Sequence, residues 1–217
     1  MINKLSLNEQ IYETLKREIF THKIESGSLL VNKDLQERFE VSSSPIRDAI
    51  NRLERDGLIE KITRAGAQVL IFDYNKTKEI NELMTIITIG AFELFFKNVD
   101  RKQLEKELES LLVLQEYNLN SDKYFYYDYC FHKLFFEYSG NQKLVDLYKQ
   151  FSGLSEMAVR SLDKITSSDS TSDNRLKSFT LHQKIVEAFK NDDLDAAKEC
   201  IREHYQHADD VFKEYYN

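Results

Sequence analysis

The chain has 217 residues, 41% apolar and 31% charged, enough for one or two domains with packed cores and too apolar for a disordered chain. It holds no apolar run approaching the roughly 18 residues of a membrane-spanning helix and no leader-like N-terminal segment, and Cys130 and Cys200 form no CxxC; a cytoplasmic protein with two buried, reduced thiols and no membrane partner is expected. The formal charge of −7 is unevenly placed: residues 1–72 carry 11 Lys/Arg and 11 Asp/Glu, whereas residues 73–217 carry 19 and 26, so the two parts are expected to do different jobs.

One proline and six glycines favour helices throughout. Ser6 to Glu9 has capping-box spacing, and Ile11, Leu15 and Ile19 mark a first helix running to about Lys23. Gly27 breaks the chain before Leu29, Leu30 and Val31, a run short enough for one small strand leading into an Asn32 cap. Leu35 and Phe39 give a short second helix its apolar side, and a turn through Val41 leads to a third, where Ile46, Ala49, Ile50 and Leu53 recur at i, i+3, i+4 and i+7. Ser44 is the expected N-cap of that third helix, because Pro45 then falls at the first helical position and Asp48 in the first turn. Burying the stripe turns Arg47 and Asn51, with Ser43 near the helix start, to the opposite, polar face. A helix start bearing polar side chains and braced by a preceding helix is how a helix-turn-helix reads the major groove; any amphipathic pair with a solvated outer face fits the same pattern. Gly57 stops the third helix, and Leu58–Thr63 and Ala67–Phe72 are β-prone runs around the basic tip Arg64-Ala65-Gly66. Three helices and such a hairpin make a winged helix-turn-helix, whose wing is expected to reach phosphates or a neighbouring groove.

The series Gly27, Leu29, Lys33-Asp34-Leu35, Val41-Ser42, Pro45-Ile46-Arg47-Asp48-Ala49, Arg52-Leu53, Asp56-Gly57-Leu58 and Arg64-Ala65-Gly66-Ala67 closely resembles the DNA-binding domain of GntR-family transcription regulators across residues 6–72. The resemblance implies that Lys33, Ser43 and Arg47 contact bases or phosphates of double-stranded operator DNA, with Arg47 the firmest carry-over, and that Gly66 lets the wing enter the minor groove. Ser44, Asn51 and Arg64 complete the expected DNA-facing set. At Ser43 the family usually has arginine, so one base contact is missing or replaced.

The composition turns polar from Asp73 to Lys78, where the junction between residues 1–73 and 78–217 is placed. Beyond it, helices are expected over 78–97, 101–117, 122–138, 141–164, 175–190 and 193–215, forming an antiparallel bundle with Thr166 to Asn174 as its most mobile loop. The fold class is thus mainly α. In the third of these helices Phe125, Asp128, His132 and Phe135 share a face, flanked by Tyr124, Tyr127, Phe131, Leu134 and Tyr138. His182 lies with Phe179, Ile185 and Phe189, and His204 falls in the stripe Leu194, Ala197, Ile201, Ala208 and Val211. Four such groups buried without partners are costly, and a divalent ion removes that cost; one carboxylate and three imidazoles suit Zn, Ni, Mn or Fe(II), with Zn preferred. Taken singly, each histidine also fits a hydrogen-bonded core residue.

The order Asp128, His132, His182, His204, with Phe131-His132-Lys133-Leu134, Gly140-Asn141, His182-Gln183-Lys184-Ile185-Val186-Glu187-Ala188 and Asp193-Leu194-Asp195-Ala196-Ala197, resembles the metal site of the FCD effector domain in the FadR-type branch of GntR regulators. This implies a homodimer whose metal underlies a pocket for a small organic acid, and a repressor controlled by that acid. Arg160 is the expected cation for the acid's carboxylate, and His207 is expected on the surface or pocket rim. Where the family often carries arginine and glutamate in the first bundle helix, this chain has Met84 and Thr88, and its many Tyr and Phe residues imply a more apolar pocket than usual. Two alternatives stay open: a metalloenzyme, with Glu187 or Tyr127 as general acid or base, and a purely structural metal. No recognisable nucleophile elbow or phosphate-binding glycine loop supports other catalysis.

Overall fold

The computed structural model describes residues 6–21, 23–71, 73–97, 101–163 and 168–216, apart from the side chains of residues 161–172. The chain divides into two compact units, Met1–Asp73 and Tyr74–Asn217.

In the first unit, helices α1 (Leu7–Phe20), α2 (Asn32–Phe39) and α3 (Ser43–Arg55) accompany strands β1 (Leu29–Leu30), β2 (Ile59–Ile62) and β3 (Ala67–Val69). The strands form an antiparallel sheet in the order β1-β3-β2. Ile11, Leu15 and Ile19 of α1 and Ile46, Ala49, Ile50 and Leu53 of α3 are buried together with Leu35, Leu58 and Val69, so the expected stripes do make one core. Glu40 turns between α2 and α3 with φ 54, and Gly57 follows α3 with φ +74, the left-handed conformation that ends many helices. Phe72, the end of the second expected β run, lies outside the described residues.

Local starts differ from expectation. The capping box does not form: the Ser6 hydroxyl bonds the Asn8 side chain, and Glu9 instead accepts from Arg52 Nη1 at 3.0 Å, tying α1 to α3. The N-cap of α3 is Ser42 rather than Ser44. Pro45 therefore sits third in the helix, still among the first residues whose N–H has no intrahelical acceptor, so its missing donor costs no bond. Asn32 is likewise inside α2, with Val31 at the cap; its Oδ1 accepts from Gln36 Nε2 at 2.6 Å and from Ser43 Oγ at 3.1 Å, linking the two helices of the motif.

The second unit consists of α4 (Tyr74–Lys97), α5 (Arg101–Tyr117), α6 (Lys123–Glu137), α7 (Gln142–Asp163), α8 (Ser168–Lys190) and α9 (Leu194–Tyr216). The division between the units falls at the start of the polar run 73–78; α4 begins directly at Tyr74, and Thr77 is buried with its hydroxyl on the Tyr74 carbonyl at 3.0 Å. The expected Thr166–Asn174 loop is also corrected, because the chain is helical from Ser168; Thr166 and Ser167 lie outside the described residues. Ser, Thr and Asp favour turns but also helix starts, and composition alone does not separate the two. Cys130 and Cys200 are free but half-buried rather than buried, and Tyr138, on the flank of the α6 face, is exposed.

Phenylalanines at one level of the bundle hold α4, α6 and α8 together. Phe92 meets Phe135 edge-on at 4.9 Å, and Phe95 lies 5.2 Å from Phe189; each fully buried ring contributes about 1.5–3 kcal/mol by burial. Polar ties join α4 to α9: Asn81 Nδ2 donates to the Tyr205 carbonyl at 2.8 Å, and the Thr88 and Tyr205 hydroxyls meet at 2.9 Å.

In the first unit Glu18 of α1 is buried and accepts from Arg38 of α2 at 2.5 Å and from Lys23 at 3.2 Å. The hydrogen bond from Arg38 holds its carboxyl below the ordinary value of 4.5, so its contribution is present above that value and is lost as pH falls through the lower folded-state value. Glu18→Ala is expected to destabilise this unit by about 1–3 kcal/mol at pH 7. The gap between variant and wild type in chemical denaturation should close at acid pH, and a gap unchanged at pH 3 would contradict this role.

Candidate functional site

The bundle brings Asp128 and His132 of α6, His182 of α8 and His204 of α9 together, one ligand atom from each lying within 4.8 Å of the others. Asp128 and His132 share a face because four residues make just over one helical turn. His182 and His204 arrive because α8 and α9 pack against each other and against the bundle core. His182 Nε2 stands 3.2 Å from His132 Nε2 and 3.7 Å from Asp128 Oδ1, and the His182 and His204 rings are 4.6 Å apart.

Burial keeps the imidazoles uncharged. It pushes His132 down to about 4 and His182 and His204 well below their usual range, with the neighbouring rings adding to the effect. All three therefore present lone pairs at neutral pH. Burial, and then the charge of Glu156, raise Asp128 to about 7; a cation beside it would restore the carboxylate.

The supporting hydrogen bonds orient this donor set. His182 Nδ1 lies 2.9 Å from Gln115 Oε1, and Gln115 Nε2 donates to the Tyr127 carbonyl at 3.2 Å. With the amide so assigned, the His182 proton sits on Nδ1 and the Nε2 lone pair faces the other ligands. Ser178 Oγ stands 3.4 Å from His204 Nδ1. His132 Nδ1 is buried with no hydrogen-bonding partner among the described residues. Neutral nitrogens converging on one carboxylate, with a buried ring nitrogen left over, fit a divalent ion of the zinc type.

Sequence reasoning did not single out Gln115, although the amide follows Leu104 and Leu108 on the buried side of α5, and a polar group on an apolar stripe is the cue that finds it.

The cluster opens onto a cavity of about 120 Å³ walled by α4, α6, α7, α8 and α9. Met84 lines it, whereas the buried Thr88 is engaged with Tyr205. His207 also lines it, nearly buried, with Nε2 3.3 Å from the Asn174 carbonyl. Arg160 is not brought to the cavity: its Nε bonds Glu156 at 2.7 Å and its guanidinium lies 4.1 Å from the Phe125 ring centre. Arg175 of α8 lines the wall instead, its Nη1 donating to the Leu119 and Ser121 carbonyls at 3.0 and 3.1 Å. Its place seven residues before His182, two turns along one helical face, was the cue in the sequence. Glu187 is exposed, and neither it nor Tyr127 is among the cavity walls.

In the first unit Ser44, Arg47 and Asn51 are exposed on α3, and Ser43 is half-buried through its bond to Asn32. Lys33 is exposed on α2, 3.8 Å from Glu37. Arg64 is exposed at the wing tip, where the Gly66 carbonyl accepts from the Thr63 N–H at 2.9 Å. Gly66 has φ +150, and a Cβ there would stand 2.5 Å from the Leu30 carbonyl oxygen; the tip therefore needs glycine to close against β1.

Residues 7–69 match the gntR family of bacterial regulatory proteins, and residues 79–207 match the FCD domain. Over 202 residues the chain is 28% identical to YdhC of Bacillus subtilis (strain 168), described as an uncharacterized HTH-type transcriptional regulator, covering 91% of this chain and 87% of that one. It is 25% identical over 219 residues to the gluconate operon transcriptional repressor of Bacillus licheniformis, covering 97% and 85%. The fold is shared with E. coli McbR/YncC at a TM-score of 0.74 and 20% identity, over 99% and 100% of the two chains. With a winged helix-turn-helix in one unit and an all-helical second unit, the chain belongs to the GntR family of DNA-binding transcription regulators, in the branch that carries an FCD domain.

Proposed function

We propose that the protein is a homodimeric repressor whose affinity for a two-fold related operator is set by a small organic acid bound beside a divalent metal ion in the FCD unit. The observation that carries this reading is the convergence of Asp128 and His204 with the buried His132 and His182 at one cavity of the bundle. These four residues would hold the ion, zinc by preference, and when bound it supplies a fixed positive charge for a carboxylate oxygen. Arg175 adds positive potential to the same cavity, a role that Arg160, held by Glu156, is poorly placed to fill. The acid regulates by binding one state of the dimer more tightly than the other. On the DNA side Arg47 and Asn51 read base edges from α3, with Ser43 and Ser44 at the helix start, while Lys33, Arg64 and the Gly66 turn meet the backbone. A relative of 25% identity is described as an operon repressor, which favours repression. Glu187 is exposed and Tyr127 is not among the cavity walls, so neither supports the metalloenzyme reading.

Binding of the full chain to DNA from upstream of its own gene, compared with scrambled DNA across a salt series, tests the DNA reading. Arg47→Ala should cost about 1–3 kcal/mol on the specific sequence, and an unchanged affinity would remove Arg47 from the interface. An organic acid should weaken operator binding by the metal-loaded protein at least tenfold. No change across a broad acid panel would defeat the effector role.

Gln115→Leu deletes the acceptor that orients His182, and zinc affinity, measured by competition with a chromophoric chelator, should fall about 10–100-fold. Gln115→Glu, which keeps an acceptor, should recover part of the loss. Unchanged affinity in a variant with wild-type circular dichroism would contradict the positioning role.

A further inference from the structure

The outer face of α5 and α6 carries apolar side chains that the bundle does not use. Val113 and Tyr117 of α5 are 64% and 88% exposed, Tyr126 of α6 is 61% exposed, and Leu114 is exposed beside them. Gln115 bonds the Tyr127 carbonyl and Tyr138 the Glu107 carboxylate, so the two helices run antiparallel and these four residues gather near the turn that joins them. Grouped tyrosines and aliphatic side chains left in water mark an interaction surface. Ile86 of α4, by contrast, is the only large apolar side chain exposed on its helix among the described residues.

Two features say that the occupant is a second copy of the chain. The exposed stripe Lys106, Ser110, Val113 and Tyr117 has spacings of 4, 3 and 4, which read the same in both directions. A two-fold axis through its middle therefore sets Ser110 against the partner's Val113, and Lys106 against the partner's Tyr117 ring, a cation over an aromatic face. Charge is divided along the same face. Lys102 and Lys106 are exposed toward the start of α5 and Glu116 toward its end, while Glu109 between them is held by Lys190. Antiparallel pairing brings the lysines to the partner's Glu116, whereas parallel pairing would oppose like charges. Shape agrees: about 16 Å back along α5 from Tyr117, a groove between α5 and α6 is lined by Lys106, Ser110, Leu111, Lys133 and Leu134, where the same rotation places the partner's Tyr117.

From these observations we infer that two copies pair through their α5–α6 faces, α5 against α5 in antiparallel, about an axis between Leu111 and Leu112. This inference rests on the homodimer proposed above and names its surface. The inner side of the same two helices carries Gln115, Asp128 and His132. The pairing surface and the metal cluster are thus opposite faces of one helix pair.

Sedimentation equilibrium of the full chain tests the surface. The wild type should be a dimer, and Val113→Glu combined with Tyr117→Glu should weaken its association at least tenfold with circular dichroism unchanged. Ile86→Glu should leave association as it is. With Cys130→Ser and Cys200→Ser as background, Ser110→Cys and Val113→Cys together should give disulfide-linked pairs of chains on mild oxidation, and neither alone should; if the glutamate variant does not fold, this cross-link decides. A dimer that survives both glutamates, that Ile86→Glu dissociates instead, or that forms no cross-link leaves the face to another occupant and overturns the assignment while the homodimer stands. A wild type that is monomeric overturns the homodimer and the surface together.

Discussion

Four ligand atoms within 4.8 Å of one another, three on uncharged imidazoles and one on a half-buried carboxyl, impose the condition that the rest of the bundle satisfies. Lone pairs turned toward one another repel and a half-buried carboxylate has lost part of its water, so a cation between them, or a proton on the carboxyl, stabilises the arrangement. The bundle nevertheless holds the groups in place. Phe131 stacks on His182 at 4.4 Å, Gln115 fixes the proton on the far nitrogen of that ring, and the phenylalanines of α4, α6 and α8 anchor the helices on which the ligands ride. Packing supplies the energy that brings the donors together, and the ion proposed for the site would return part of it as folding stability.

The two units solve different electrostatic problems. The winged-helix unit has balanced charge, and three of its acids pair with basic side chains within the fold. Glu18 pairs with Arg38, Glu9 with Arg52, and Asp56 with Lys16 at 3.6 Å while accepting the Tyr12 hydroxyl. Several basic side chains are thereby tied into structure, while Arg47 and Arg64 are exposed on α3 and at the wing tip. Attraction to phosphates depends on local potential rather than total charge, so a net acidic chain is no obstacle to DNA binding through exposed residues such as these. The acidic excess lies in the helical unit, which has no need to approach DNA.

Much of this was legible in the sequence where a period or a fixed spacing carried the information. The stripe Ile46, Ala49, Ile50, Leu53 marked α3, and the wing followed from two β-prone runs about a glycine. The D-x3-H pair with histidines in two later apolar stripes marked the four residues that the fold gathers. What escaped was decided by geometry between helices or by competition at their ends. Glu9 was free to cap its own helix and was drawn to Arg52 instead. The Ser/Thr/Asp run before Asn174 read as a loop because those residues serve turns and helix starts alike. Arg160 and Arg175 look equivalent along the chain, yet Glu156, one turn before Arg160, captures it, while Arg175 shares the cavity face of α8. No local pattern records which neighbour a long cation meets across a bundle.

X-ray absorption at the zinc edge, on zinc-loaded full chain and on Asp128→Asn and His182→Gln variants, tests the cluster most directly. One ion per chain, bound through about three nitrogens and at least one oxygen at zinc-ligand distances near 2.0–2.2 Å, with nitrogen ligation reduced in the His182 variant, is the expected result. Zinc that binds substoichiometrically, or with a ligand set unaffected by either substitution, would place the ion elsewhere and remove the metal from the control of this regulator.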